Sequence, residues 1–217
     1  MPVFRLPENK IIFPDPALGE PDGLLAVGGD LSTERLLLAY SQGIFPWYNE
    51  GEPILWWCPK ERFIIRPEKI HISHSLAKYM KKHSVKALFN RDFPDTMHRC
   101  RLKREFKEGT WITDDMEAAY AALHKKGFAM AAEAETDGVI AGGLYGVVIG
   151  KNFFGESMYS DHENGSKLAL VLLAQKLREE GFHMIDCQFH TPFLESMGGE
   201  YIPYREYMEY IGMCKEV

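Results

Sequence analysis

The sequence predicts an α+β protein: a small N-terminal α+β domain over residues 1–108 and a C-terminal α+β domain over residues 109–217. Two observations lead there. From Thr113 onward the pattern runs helix, antiparallel strands, helix, strand, helix, an order that segregates helices from a sheet. Within it, Asp137-Gly138 sits between alternating apolar runs, a strong two-residue hairpin signal.

The N-terminal section opens on loop, with Pro7, Pro14, Pro16 and Pro21 and a turn at "EPDG". A helix follows in "GGDLSTERLLLAYSQG", capped by Asp30 or Ser32, with Leu36, Leu37 and Tyr40 on its apolar face and Gly43 ending it. "RFIIRPEKIHIS" predicts two short strands broken at Pro67. Ser75 to His83 is a basic helix, and Phe93 to Phe106 is another.

In the second section Thr113 caps "DDMEAAYAALHKK", acids first and lysines last, as the helix dipole favours. Gly127 stops it. The stretch from Phe128 to Ser160 is a meander turning at Asp137-Gly138 and Gly150-Lys151. An amphipathic helix starts near Asn164 or Ser166 and ends at Gly181. "HMIDCQFH", His183 to His190, is a strand, and "YIPYREYMEYIGM" a short terminal helix.

Composition narrows the classes. With 46% hydrophobic and 26% charged residues the chain is globular rather than disordered. No apolar run is long enough to span a bilayer, and the first ten residues lack an apolar signal core. Cys58, Cys100, Cys187 and Cys214 are scattered and form no CxxC pair, which argues against a disulfide framework or a zinc site. The cytoplasm is the expected location. The net charge is −6, yet residues 60–107 hold 14 Lys/Arg against 5 Asp/Glu. That asymmetry fits either a polyanion partner or a solvated face neutralised in space by the acidic remainder.

Four features could carry chemistry. On a strand, Asp186 and Gln188 fall on one face, so the carboxylate could orient the amide; the alternative is an ordinary polar face. Glu156 stands among Phe153, Phe154, Met158 and Tyr159, which suggests a cation meeting an apolar pocket, or an edge-strand carboxylate in water. Cys187, between His183 and His190, invites a nucleophile reading, but alternation points it away from Asp186 and Gln188 and favours a small buried hydrophobe. The same alternation separates His183 from His190, so no metal site is expected there. Phe45, Trp47, Tyr48, Trp56 and Trp57 are either an inter-domain core or a stacking platform for bases.

Taken together, "DGLLAVGGDLSTERLLLAYSQGIFPWY", "PILWWCP", "GTWIT", "GGLYGV", "GESMYS", "SKLAL" and "IDCQ" stand in order between Phe13 and Tyr210. In this order and spacing they resemble the bacterial leucyl/phenylalanyl-tRNA–protein transferase family. The resemblance implies a C-terminal domain similar to the GCN5-related N-acetyltransferase fold. It implies transfer of Leu or Phe, and less well Met, from Leu-tRNA or Phe-tRNA to proteins with N-terminal Arg or Lys. The product would be an N-degron. An activated aminoacyl ester requires neither ATP nor metal, so no cofactor is expected; no membrane is expected, and a monomer is the default because no coiled-coil pattern demands a dimer.

It also implies roles. Asp186 would polarise the Gln188 amide, whose carbonyl accepts from the attacking amine, and positioning would supply most of the rate. Glu156 would bind the acceptor. Phe153, Met158, Leu170 and Tyr145 would form the donor side-chain pocket, and Trp47, Trp57 and Trp111 would surround the terminal adenosine. Lys78, Lys81, Lys82, Arg99, Arg101, Lys103 and Arg104 would meet tRNA phosphates. The rival readings are a non-catalytic tRNA-binding protein and a CoA-dependent N-acetyltransferase. Against the latter, no R/Q-x-x-G-x-G/A loop precedes the helix at Asn164.

Overall fold

The computed structural model describes residues 3–105 and 110–213. In chain order the elements are β1 (Phe4–Leu6), β2 (Leu24–Gly28), α1 (Thr33–Tyr40), β3 (Phe45–Pro46), β4 (Leu55–Trp57) and β5 (Glu61–Ile65). Then come α2 (His74–Lys82), β6 (Val85–Phe89), α3 (Phe93–Glu105), α4 (Asp114–Lys125), β7 (Ala129–Thr136), β8 (Val139–Ile149) and β9 (Asn152–Ser160). The chain closes with α5 (Gly165–Glu179), β10 (Met184–Asp186), α6 (Pro192–Ser196), β11 (Glu200–Pro203) and α7 (Tyr204–Gly212). The protein is α+β, as expected. None of its described helices is long and apolar enough to cross a membrane.

Two sheets organise it. A small one has the order β1-β2-β4-β3, and a large one the order β11-β5-β10-β9-β8-β7-β6. The meander β7–β8–β9 is antiparallel and turns at Asp137-Gly138, both with positive φ, as the hairpin signal requires. β10 returns parallel to β9 through α5. β5 and β6, which precede residue 108 in the chain, are strands of this same large sheet.

The large sheet is covered on both faces. On one face α5 packs with Leu76 of α2 over Leu144, Phe153 and Ile185. On the other, α3, α4 and α7 share a core with the small sheet and α1, running from Leu25 and Trp56 through Tyr120 and Tyr145 to Tyr207. The caps expected at Ser32 and Thr113 are present, their hydroxyls accepting from the N–H groups of Arg35 and Met116, and Ser73 caps α2 in the same way by accepting from Leu76 N–H. α5 begins against β8. A Cβ at Gly165 would lie 1.9 Å from the carbonyl oxygen of Ala141, so only glycine permits this approach.

Three expected elements differ. The second strand in "RFIIRPEKIHIS" is absent, because Pro67 opens a 3-10 turn over Pro67–Lys69 and Ser73 then caps α2. β6 lies in a stretch with no strand expectation; it is a half-buried edge strand paired to β7. The strand expected from His183 to His190 ends at Asp186, because Gln188 adopts a left-handed backbone with φ of 58°.

Candidate active site

The site forms where two parallel strands part. β9 and β10 pair only from Asn152/Met184 to Phe154/Asp186, while β9 continues to Ser160. In the same region β9 carries a bulge against β8. Tyr145 faces Ser157 and Gly146 faces Gly155, leaving Glu156 without an opposing residue. The bulge resets the alternation. Phe154 and Tyr159 enter one core and Phe153 and Met158 the other, an odd spacing that an unbroken strand cannot produce.

A cavity of about 680 Å³ opens at this point. Its lining is mostly apolar and includes Phe45, Leu144, Tyr145, Phe153, Met158, Leu170, Ile185 and Leu194. Trp47, Trp57, Trp111 and Phe189 also line it, with Trp47 within 5.7 Å of Trp57 and 5.5 Å of Phe189 by ring centroids. Glu156, Gln188 and Arg104 are among the few polar side chains that reach it.

Glu156 is held by two phenols. Tyr40 of α1 donates to its Oε1 at 2.6 Å and Tyr120 of α4 lies 3.3 Å from its Oε2, while the two hydroxyl oxygens approach each other at 2.5 Å, so two phenol protons are shared among three contacts. Burial pushes the Glu156 carboxyl up to about 7, against the lowering effect of those hydrogen bonds. Burial likewise raises both phenols, so they act as donors.

Asp186 is fully buried and does not line the cavity. Its carboxylate accepts from Arg62 Nε at 2.9 Å and Nη2 at 2.8 Å, from the Tyr207 hydroxyl at 2.9 Å, and from the backbone N–H of Gln188 at 2.9 Å. The hydrogen bond expected from the Gln188 side-chain amide to Asp186 is therefore replaced by one from its backbone N–H. The reason is the loss of alternation. Cys187 N–H donates to Phe63 O and Phe63 N–H donates to Gln188 O, so two residues oppose one and Gln188 turns into the cavity while Asp186 faces away. Burial alone would lower the Arg62 pKa, but the Asp186 carboxylate beside it more than offsets this and raises it.

The same bulge brings Cys187 into the cavity lining, where alternation had turned it away. Burial pushes its thiol well up, which disfavours the thiolate.

The seven cations expected on one surface do not lie together. α2 packs into the α5 face and α3 into the other, because the chain crosses the sheet edge at β6 between them. Lys78, Lys81 and Lys82 are exposed on α2. On α3, Arg99 pairs with Asp95 and Asp161, Arg101 with Asp114 and Glu117, and Lys103 with Asp161. Arg104 lines the cavity, donates to Ser157 Oγ at 2.9 Å and lies over the Trp111 ring at 5.6 Å.

The sequence-level candidates omit Arg62, Tyr40, Tyr120 and Tyr207. One signal was present for Arg62. It shares parity with Ile64 in "RFII", so a buried strand face had to contain a charge, and a buried charge needs a partner. The tyrosines gave no signal, since they come from helices distant in sequence.

The leucyl/phenylalanyl-tRNA protein transferase profile matches residues 64–212, and the profile of that family's N-terminal domain matches residues 29–60. This chain belongs to the leucyl/phenylalanyl-tRNA protein transferase family. Among curated relatives, the transferase of Desulfatibacillum aliphaticivorans is 50% identical over 217 residues, covering 100% of this chain and 93% of that one. That of Pseudomonas entomophila (strain L48) is 46% identical over 208 residues, covering 95% and 92%. Solved structures with a distant likeness include the L-PGS of Bacillus licheniformis, at 13% identity and a TM-score of 0.45 over 90% of this chain and 72% of that one. The transferase is thus an aminoacyltransferase acting between aminoacyl-tRNA and protein.

Proposed function

We propose that this transferase moves Leu or Phe, and less well Met, from aminoacyl-tRNA to the α-amine of proteins whose first residue is Arg or Lys. The product is an N-degron, and the enzyme acts as a cytoplasmic monomer. The observation that carries the reading is the convergence of Glu156 and Gln188 on one apolar cavity rimmed by tryptophans.

The chemistry needs little beyond alignment. The amine nitrogen attacks the ester carbonyl, a C–N bond forms, the bond to the ribose 3′-oxygen breaks, and the amine's proton ends on the leaving oxygen or on water. The Gln188 carbonyl accepts from the amine N–H and aims its lone pair; holding reactants in this way supplies much of such a rate. Glu156, ionised, receives the acceptor's cation. Phe153, Met158, Leu170 and Tyr145 house the donor side chain. Trp47, Trp57 and Trp111 stack on the terminal adenosine. On α2, Lys78, Lys81 and Lys82 meet tRNA phosphates, an interaction that falls with salt.

The test is transfer of labelled Leu from charged tRNA to peptides beginning Arg, Lys or Ala. Transfer to Arg and Lys but not Ala, lost in Gln188→Ala and unselective in Glu156→Ala, is the expected result. Equal transfer to Ala peptides, or full activity in Gln188→Ala, would overturn it.

A further inference from the structure

Asp186 is wrapped by partners that leave it no access to a substrate. Arg62 grips it bidentately, and both side chains are fully buried. The Arg62 guanidinium is itself sandwiched, 4.9 Å from the Phe45 ring centroid and 4.5 Å from that of Tyr207. Tyr207 adds its hydroxyl to the same carboxylate. Room for that ring is provided by Gly43, where a Cβ would lie 2.6 Å from Tyr207 Cε1. The remaining interaction of the carboxylate is the backbone N–H of Gln188. That residue holds φ of 58°, a conformation that a non-glycine residue keeps only when its surroundings enforce it.

We infer that Arg62, Asp186 and Tyr207 form a buried clamp that acts through the Gln188 backbone, making Tyr207 and Arg62 positioning residues for transfer. The clamp holds Gln188 in its left-handed turn and so keeps its side chain in the cavity. Asp186 works as an anchor rather than as a source of charge for the amide. Because Tyr207 belongs to α7 and Arg62 to β5, the last described helix of the chain and a strand on the far side of β10 both bear on the reacting centre. The inference rests on the reading of Gln188 as the residue that orients the amine.

A double-mutant cycle tests it. The parent, Tyr207→Phe, Gln188→Ala and the double variant are compared for transfer of labelled Phe from charged tRNA to an Arg-initiated peptide, with thermal midpoints measured beside the rates. Tyr207→Phe should lower kcat by about tenfold to a hundredfold with little change in KM, as misplacement of an aligning group does. In the Gln188→Ala background it should have no further effect. Unchanged kcat in Tyr207→Phe, or losses that multiply in the double variant, would overturn the clamp while leaving the Gln188 reading intact. Full activity in Gln188→Ala would overturn that reading itself. If Tyr207→Phe unfolds at the assay temperature, Asp186→Asn takes its place in the cycle with the same expectations.

Discussion

The Tyr40 hydroxyl donates to Glu156 Oε1 at 2.6 Å, joining the end of α1 to the bulge of β9 across 116 residues of chain. The contact places a helix of the N-terminal section against a carboxylate that lines the cavity. With Tyr120 beside the other oxygen, both carboxyl oxygens face phenols.

A stability consequence follows from its raised pKa. In the unfolded chain Glu156 ionises near its ordinary value of 4.5, and in the folded protein near 7. The folded state therefore binds the extra proton between those values. Its contribution to stability is full below pH 4.5 and is lost as pH rises through about 7. The midpoint of the parent should fall from pH 4.5 to 7 relative to that of Glu156→Gln, measured by thermal unfolding across the range. Transfer to Arg-initiated peptides should rise as pH passes through about 7, where the carboxylate forms in the folded protein.

The buried ion pair makes a second expectation. Asp186→Ala leaves the Arg62 charge buried without its carboxylate, which costs about 3–5 kcal/mol. Urea unfolding should show a midpoint reduced accordingly. Arg62→Met with Asp186→Leu, which removes both charges, should recover part of the loss, because no charge is left buried, although the Tyr207 hydroxyl and Gln188 N–H lose their acceptor.

The two basic helices should behave differently toward tRNA. Replacing Lys78, Lys81 and Lys82 by Ala should weaken binding and reduce the slope of log affinity against log salt by about one per phosphate contact removed. Arg99, Arg101 and Lys103 already spend their charge on Asp95, Asp161, Asp114 and Glu117, so their replacement should alter that slope less. Filter binding across a salt series separates the two sets.

The proposed donor slot offers a specificity test. Met158 lines the cavity and is half-buried, so a larger ring there narrows the slot without overfilling the core. Met158→Phe should lower transfer of Phe more than of Leu, by about tenfold, the scale on which hydrophobic pockets discriminate. Competition between Phe-tRNA and Leu-tRNA donors reads the ratio directly.

Much of this was legible from residues alone. Caps and dipole-ordered charges marked the starts of α1 and α4, and Asp137-Gly138 marked the hairpin, because those preferences act within a few residues. Glu156, Gln188, Phe153 and Trp111, singled out from the sequence, line one cavity. What failed was strict alternation. It placed Asp186 and Gln188 side by side and turned Cys187 away, and it missed bulges on both strands that flank the opening. Bulges depend on what the neighbouring strand offers, and a single strand's sequence does not contain that.

The sequence by itself determined the α+β class, the family and the chemical types present at the site. Only the tertiary structure decided that Asp186 is bound to Arg62 and Tyr207 rather than to an amide, that Tyr40 and Tyr120 hold Glu156, and that the basic block divides between two faces. The physical reason is range. Propensities, caps and turns are settled by neighbours in the chain, whereas a buried charge is settled by whichever partner the packing brings within about 3 Å, from anywhere along it.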